Sequence, residues 1–263
     1  MYNIFDSHAH YNDEQFDIDR DSLLASLPEA GIVGIINCGT DVKSSLISLD
    51  YAEKYDFFYA ACGYHPEAAD EADDGKIAEI EKMLSHEKCV AVGEIGLDYH
   101  YDFVSKEVQL EVFEKHLQLA VKHDIPVIVH DREAHADTLT LLKKYRPKGV
   151  LHCFSGSVET AREILSLGMY IGLGGAVTFK NAVKPVEVAA YIPEDRLLLE
   201  TDCPYMAPVP MRGKRNDSKY IPFVAEKIAE IRGCDSQHIL DITTENTRRL
   251  FEKMHNAQCT MHN

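Results

Sequence analysis

Short runs of aliphatic and β-branched residues recur along the chain, separated by stretches in which apolar residues return every three or four positions. Eight such runs start near Ile4, Val33, Phe57, Cys89, Pro126, Gly149, Met169 and Arg196. Hydrophobicity within them is nearly continuous, as in Val127-Ile128-Val129 and Leu197-Leu198-Leu199, which marks strands buried on both faces. Between them the period lengthens. Ile77, Ile80, Met83 and Leu84 share one helical face. Val112, Phe113, Leu117, Ala120 and Val121 share another, in a helix expected from about Lys106 to His123. A further helix opens at Ser157 and stops at Gly168. Eight rounds of strand and helix in 263 residues predict an α/β fold, a single (β/α)8 TIM barrel with its active site at the C-terminal ends of the strands.

The rival architecture is a doubly wound open sheet. It needs a glycine-rich nucleotide turn after the first strand, where this chain has Asp6-Ser7-His8-Ala9-His10. Gly172, Gly174 and Gly175 have the wrong spacing for a phosphate turn and read as small residues making room at a barrel axis. The barrel domain is expected over residues 1–254, followed by a fraying polar tail over 255–263. Ala207 to Asp217, rich in Pro, Gly and basic residues, reads as a long loop after the eighth strand.

The strand ends carry the chemistry. Strand one delivers Asp6, His8 and His10, and strand three Gly63-Tyr64-His65-Pro66. Strand four delivers Glu94 and Asp98, strand five His130-Asp131, strand six His152-Cys153, and strand eight Glu200-Thr201-Asp202. Each alone has a bland explanation, such as a satisfied core histidine or a helix-capping aspartate. Together they do not, because burying so many ionisable groups around one axis is costly without a compensating cation. Two divalent metal ions are therefore expected. His8, His10 and Asp202 would hold one, His130 and His152 the other, and Glu94, with two oxygens, would bridge them. Asp202 and Glu94 are the expected catalytic carboxylates, Asp202 as acceptor of a proton from water. Mixed nitrogen and oxygen donors suit Zn, Mn or Fe better than Mg, which prefers an oxygen shell, but they do not name the metal, and Mg, Mn and Zn all stay open.

Charge changes this picture only in part. Against 27 Lys and Arg stand 43 Asp and Glu, a net charge of −16, so the surface as a whole does not attract a polyanion. A nucleic-acid substrate would need a local basic patch. Of seven cysteines none forms a Cys-x-x-Cys pair, the pattern of reduced, mostly buried thiols in a cytoplasmic protein. No run approaches 18 apolar residues and no leader pattern opens the chain, so neither a membrane span nor a signal peptide is expected. No obligate protein partner is expected.

Seven motifs resemble those of TatD-type metal-dependent hydrolases of the amidohydrolase superfamily. They are Phe5-Asp6-Ser7-His8-Ala9-His10, Gly63-Tyr64-His65-Pro66, Gly93-Glu94-Ile95-Gly96-Leu97-Asp98-Tyr99, His130-Asp131-Arg132-Glu133-Ala134, His152-Cys153-Phe154-Ser155-Gly156, Glu200-Thr201-Asp202-Cys203-Pro204 and Pro210-Met211-Arg212-Gly213-Lys214-Arg215-Asn216. The resemblance spans Phe5 to about Phe251. It implies a TIM barrel, divalent-metal-dependent hydrolysis and deoxyribonuclease activity, often 3′-5′ exonucleolytic on single-stranded or 3′-end DNA. It carries metal-ligand roles to His8, His10, Glu94, His130, His152 and Asp202, and a substrate contact to His65. Ser7 stands where the family commonly has Thr, and Glu67 follows Pro66 where a histidine is often found. Arg212, Lys214 and Arg215 form the main basic cluster on the expected active face, with Arg212 a candidate phosphate contact. Tyr99 and Tyr101 could stack on a base or pack under a loop. The alternative activity is hydrolysis of a small amide, lactone or ester on the same metal site, including D-aminoacyl-tRNA deacylation. A non-enzymatic metal protein is the third reading, disfavoured by so many donors at an open barrel mouth.

Overall fold

The computed structural model describes residues 1–253, so the expected tail over 255–263 lies outside the described residues. The eight apolar runs form strands β1 (Ile4–Ala9), β2 (Ile32–Cys38), β3 (Phe58–Cys62), β4 (Cys89–Asp98), β5 (Val127–Arg132), β6 (Gly149–Leu151), β7 (Tyr170–Leu173) and β8 (Leu197–Leu199). Several start one residue away from the run that announced them. All pair in parallel with their sequence neighbours, in the order β1 to β8. The ring closes near its C-terminal end, where Asp202 N–H donates to His8 O at 3.0 Å and His10 N–H donates to Cys203 O at 2.8 Å. This sequential closure excludes the doubly wound sheet.

Helices α1 (Arg20–Ser26), α2 (Val42–Lys54), α3 (Asp74–Met83), α4 (Lys106–His123), α5 (His135–Tyr145), α6 (Val158–Ser166), α7 (Lys184–Tyr191) and α8 (Ile221–Arg232) follow the strands in turn. Polar caps start them where the sequence offers one. Ser105 Oγ accepts from Val108 N, Ser157 Oγ from Thr160 N, and Asp41 makes a reciprocal capping box with Ser44. Gly168, at φ 82°, follows α6 in the left-handed region and turns the chain into β7. Val121 is a correction. It is half exposed, because it lies about 95° around the helix from the centre of the stripe formed by Val112, Phe113, Leu117 and Ala120. A ninth helix, α9 (Ser236–Leu250), goes beyond the eight-unit pattern and packs on β1 and β8.

The barrel interior has its own core. Phe5, Tyr59, Val90, Ile128, Val150, Tyr170 and Leu198 pack together inside the strands, with Phe251 from the end of α9 fully buried against them. Alternate strand residues point the same way. Two positions beyond Ile128, Val150 and Leu198 stand His130, His152 and Glu200, so the strands that fill the floor with hydrocarbon carry ionisable groups to the mouth.

Candidate metal centre

Glu94 sits at the middle of the mouth on β4, almost fully buried. Its two oxygens face different partners. Oε2 lies 3.3 Å from His8 Nε2 and 3.2 Å from His10 Nε2, and Asp202 Oδ1 lies 3.7 and 3.5 Å from the same two nitrogens. Oε1 lies 2.8 Å from His152 Nε2, 3.0 Å from His130 Nδ1 and 3.5 Å from His65 Nε2. The structure thus brings all six expected ligands, and His65, into one cluster divided by one carboxylate.

The donor spacing fits ions. Around a divalent ion with bonds of about 2.1 Å, tetrahedral donors stand about 3.4 Å apart. The described donors separate by comparable distances, including 2.9 Å between His8 Nε2 and His10 Nε2 and 3.3 Å between His130 Nδ1 and His152 Nε2. Three overlapping groups of donors lie close enough to share an ion: His8, His10 and Glu94; His8, His152 and Asp202; His65, Glu94 and His130. His65 therefore stands where it can meet an ion as well as a substrate. Its Nδ1 accepts from Glu67 N–H at 3.2 Å, which turns Nε2 toward Glu94.

Protonation tells the same story. Burial disfavours a charged His10, yet its contacts with Asp202 and Glu94 outweigh this and raise it to about 10. Burial likewise opposes a charged His130, and Asp98 with Glu94 raises it to about 9. His65 is pushed down to about 3, chiefly by burial, and burial with the His152 charge lowers His8. Burial opposes ionisation of Glu94, but the surrounding His152, His65 and His8 hold its carboxyl well below the usual range. The carboxylates thus favour positive charge among the donors. A divalent cation supplies that charge while the imidazoles stay neutral.

Sequence reasoning gave no role to the residues behind the donors. Asp98 Oδ2 lies 3.0 Å from His130 Nε2 and fixes that ring. Glu200, fully buried, lies 3.6 Å from His152 Nδ1 and accepts from Cys153 N–H. Gly172 makes room for it, since a Cβ there would stand 2.3 Å from Glu200 Oε2. Cys38 backs β1, with its Sγ 3.4 Å from His8 Nδ1 and its carbonyl 3.0 Å from His10 Nδ1. Asp6 faces away from the donors. It accepts from Thr201 N and Oγ1 and from Ser218 Oγ, clamping β1 to the chain after β8, and burial raises it to about 7. The signal was present for Asp98 and Glu200, which share strand parity with Glu94 and Asp202. Two residues at the mouth, Cys153 and Asp202, adopt positive φ, of 42° and 56°.

The basic cluster is smaller than expected. Arg215 is spent on Asp19, bonding both its oxygens at 2.7 Å, and its guanidinium covers Phe16. Arg212 and Lys214 remain exposed in the loop after β8, with Arg212 4.0 Å from the Phe179 ring centroid. Tyr99 packs, donating to Asp137 at 2.8 Å, and Tyr101 is exposed.

The family described as TatD related DNase matches residues 5–252. An uncharacterized metal-dependent hydrolase, YabD of Bacillus subtilis, is 45% identical over 94% of this chain and 98% of its own length. A 3′-5′ ssDNA/RNA exonuclease, TatD of Cronobacter sakazakii, is 34% identical, covering 95% of this chain and 98% of that protein. The crystal structure of the TatD homolog YJJV from Escherichia coli superposes with a TM-score of 0.89 at 34% identity, over 95% of this chain and 98% of the other. With a barrel of this kind and a family match along almost all its length, the chain belongs to the TatD family of metal-dependent hydrolases.

Proposed function

We propose that this hydrolase cleaves phosphodiester bonds in DNA, as a 3′-5′ exonuclease on single-stranded or frayed 3′ ends, with two divalent ions at the barrel mouth. The observation that carries the reading is the division of the Glu94 oxygens between two donor sets. His8, His10 and Asp202 would hold one ion and His130 and His152 the other, with Glu94 shared. Bound there, divalent ions lower the pKa of water toward neutrality and neutralise the scissile phosphate.

The protein groups have separable tasks. Asp202 is held ionised below the usual carboxylate range, since its contacts with His10 and with the His8 and His152 charges outweigh burial. Its Oδ1 faces the histidines, which leaves the second oxygen to take a proton from the attacking water. Asp98 holds the His130 ring, so that it does not turn when substrate arrives, and the Glu200 carboxylate lies beside His152 Nδ1. His65, at the edge of the cluster, orients the phosphate. Arg212 is exposed and forms no ion pair among the described residues, so its guanidinium is free for a neighbouring phosphate. The exonuclease name borne by relatives at 34% identity supports this substrate class. Among the described residues no helix is long and apolar enough to cross a membrane. A reducing, cytoplasmic compartment is part of the proposal, supported by the Cys62 and Cys89 thiols facing each other at 3.6 Å.

Arg212→Ala tests the polymer reading. Cleavage of a single-stranded oligonucleotide should fall about 10- to 150-fold in kcat/KM, with a one-phosphate ester and metal content unchanged. Oligonucleotides left intact by fully loaded wild-type protein, alongside rapid turnover of small esters, would transfer the site to small-molecule hydrolysis.

A further inference from the structure

The loop between β4 and α4 presents aromatic rings to solvent beside the donor cluster. Phe103 is 68% exposed and Tyr101 40%. Their rings stack with centroids 5.1 Å apart and planes 14° from parallel. The Arg132 guanidinium stands 4.9 Å from the Tyr101 centroid. Tyr101 thus already meets a ring and a cation, and Phe103 is the open end of the stack.

Exposed rings alone name no occupant, but position and charge do. Asp98 Oδ1 accepts from the amides of His100 and Tyr101 at 2.9 and 3.4 Å, while its Oδ2 meets His130 Nε2 at 3.0 Å. One carboxylate therefore ties the aromatic loop to the donors around Glu94. Arg132 and Lys106, lying over the Tyr101 and Tyr99 rings, form no ion pair among the described residues. The acidic neighbour Glu133 is occupied by His100 at 2.8 Å. An open apolar ring stacked on Tyr101, with unpaired cations over the Tyr101 and Tyr99 rings of the same loop, is the chemistry that holds an unpaired base and its phosphate.

The geometry points to Phe103, backed by Tyr101 and Arg132, as a stacking platform for an unpaired nucleobase next to the phosphodiester at the Glu94 cluster. The assignment rests on the phosphodiesterase reading and adds a reason for strand selectivity. A base inside a duplex has both faces covered by its neighbours, so only single strands and frayed ends can use the platform.

The chain contains no tryptophan, so Phe103→Trp places one indole at the site. In chelator, a single-stranded oligonucleotide should quench its emission saturably, and a blunt duplex of the same sequence should quench it far less. In the metal-loaded enzyme, Phe103→Ala should lower kcat/KM about ten-fold on a single-stranded oligonucleotide. The same strand made abasic at its last two 3′ nucleotides should be cut equally by wild type and Phe103→Ala, and Phe103→Trp should keep full activity on the intact strand. Equal losses on both strands would make Phe103 a structural residue of the loop and overturn the platform. So would no loss on either, or a change in oligomeric state on sedimentation, which would make the patch a subunit contact. Failure of loaded wild-type enzyme to cut any oligonucleotide would overturn the phosphodiesterase reading instead. In that case the chelator titration still decides the platform, and an unquenched indole would remove it.

Discussion

Two ends of one barrel interior use the same strands for opposite purposes. The floor layer, from Phe5 to Leu198 with Phe251 beneath, is hydrocarbon and aromatic ring that closes on itself. The mouth layer, two residues further along β5, β6 and β8, packs His130, His152 and Glu200 toward Glu94. The floor gains by burial alone, roughly 1.5–3 kcal/mol for each large apolar side chain. The mouth loses by burial and recovers the loss only with positive charge. Concavity does not distinguish the ends. A cavity of about 570 Å³ opens at the floor, against Pro126, Gly149, Tyr170 and Arg249, with none of the converging donors. Most of its cations are already committed, with Lys148 on Asp124, His123 on Glu81 and Lys253 on three backbone carbonyls, while Arg249 donates to Asn246. A site is marked here by ionisable groups facing each other without neutralising partners, and the volume of a hollow is a poorer guide.

Removing the shared carboxylate breaks the comparison most severely. Glu94→Gln keeps shape and buries no new volume, but it withdraws the charge both donor sets use. We expect kcat to fall by about 10³ or more, with loss of bound metal measured by elemental analysis, since a catalytic ion contributes several kcal/mol. Retained metal with retained activity would remove Glu94 from the centre of the account.

The complementary change is Leu198→Ala in the floor. It should destabilise the protein by about 2–5 kcal/mol in urea unfolding, through lost burial and a residual cavity. At temperatures where the variant remains folded, kcat should stay near the wild-type value. A large fall in kcat with unchanged stability would mean that the two layers are not separable.

How much of this division was legible in sequence depended on parity. Val127-Ile128-Val129-His130 shows both layers of β5 in four letters, and Leu198, Glu200 and Asp202 do the same after β8. The donors could be named because each stands at or just past an apolar run, Glu94 within β4 between two glycine-flanked apolar stretches. The fate of Arg215 could not, because its partner Asp19 lies far away in the chain just before α1 and nothing local links them. Asp6 was misleading for a similar reason. β1 shifts register between Asp6 and Ala9, so Asp6 leaves the donor side for the seam with Thr201 and Ser218. α9 and its plug Phe251 lie beyond the eighth unit, where the repeating pattern gives no expectation.

His116 sharpens the contrast between buried histidines with and without carboxylates. It is fully buried on α4, bonded through Nδ1 to Val112 O, and burial lowers it to about 4. It is neutral in the fold, while the unfolded chain takes up its proton near the ordinary histidine value. The His116 contribution to stability should therefore fall by about 3 kcal/mol as pH drops from about 6.5 to 4, with no further change from this residue below. His116→Leu should flatten that part of the urea-derived stability profile. An unchanged slope would show that His116 is not held neutral.

The central claim is that the mouth is built around two ions sharing Glu94. Its most direct measurement is a crystal structure of Mn-reconstituted protein with anomalous scattering. The account predicts two anomalous peaks, one among His8, His10 and Asp202 and one beside His130 and His152, each contacting a different oxygen of Glu94. A single fully occupied peak that does not touch Glu94, or a mouth without any peak in active protein, would contradict it.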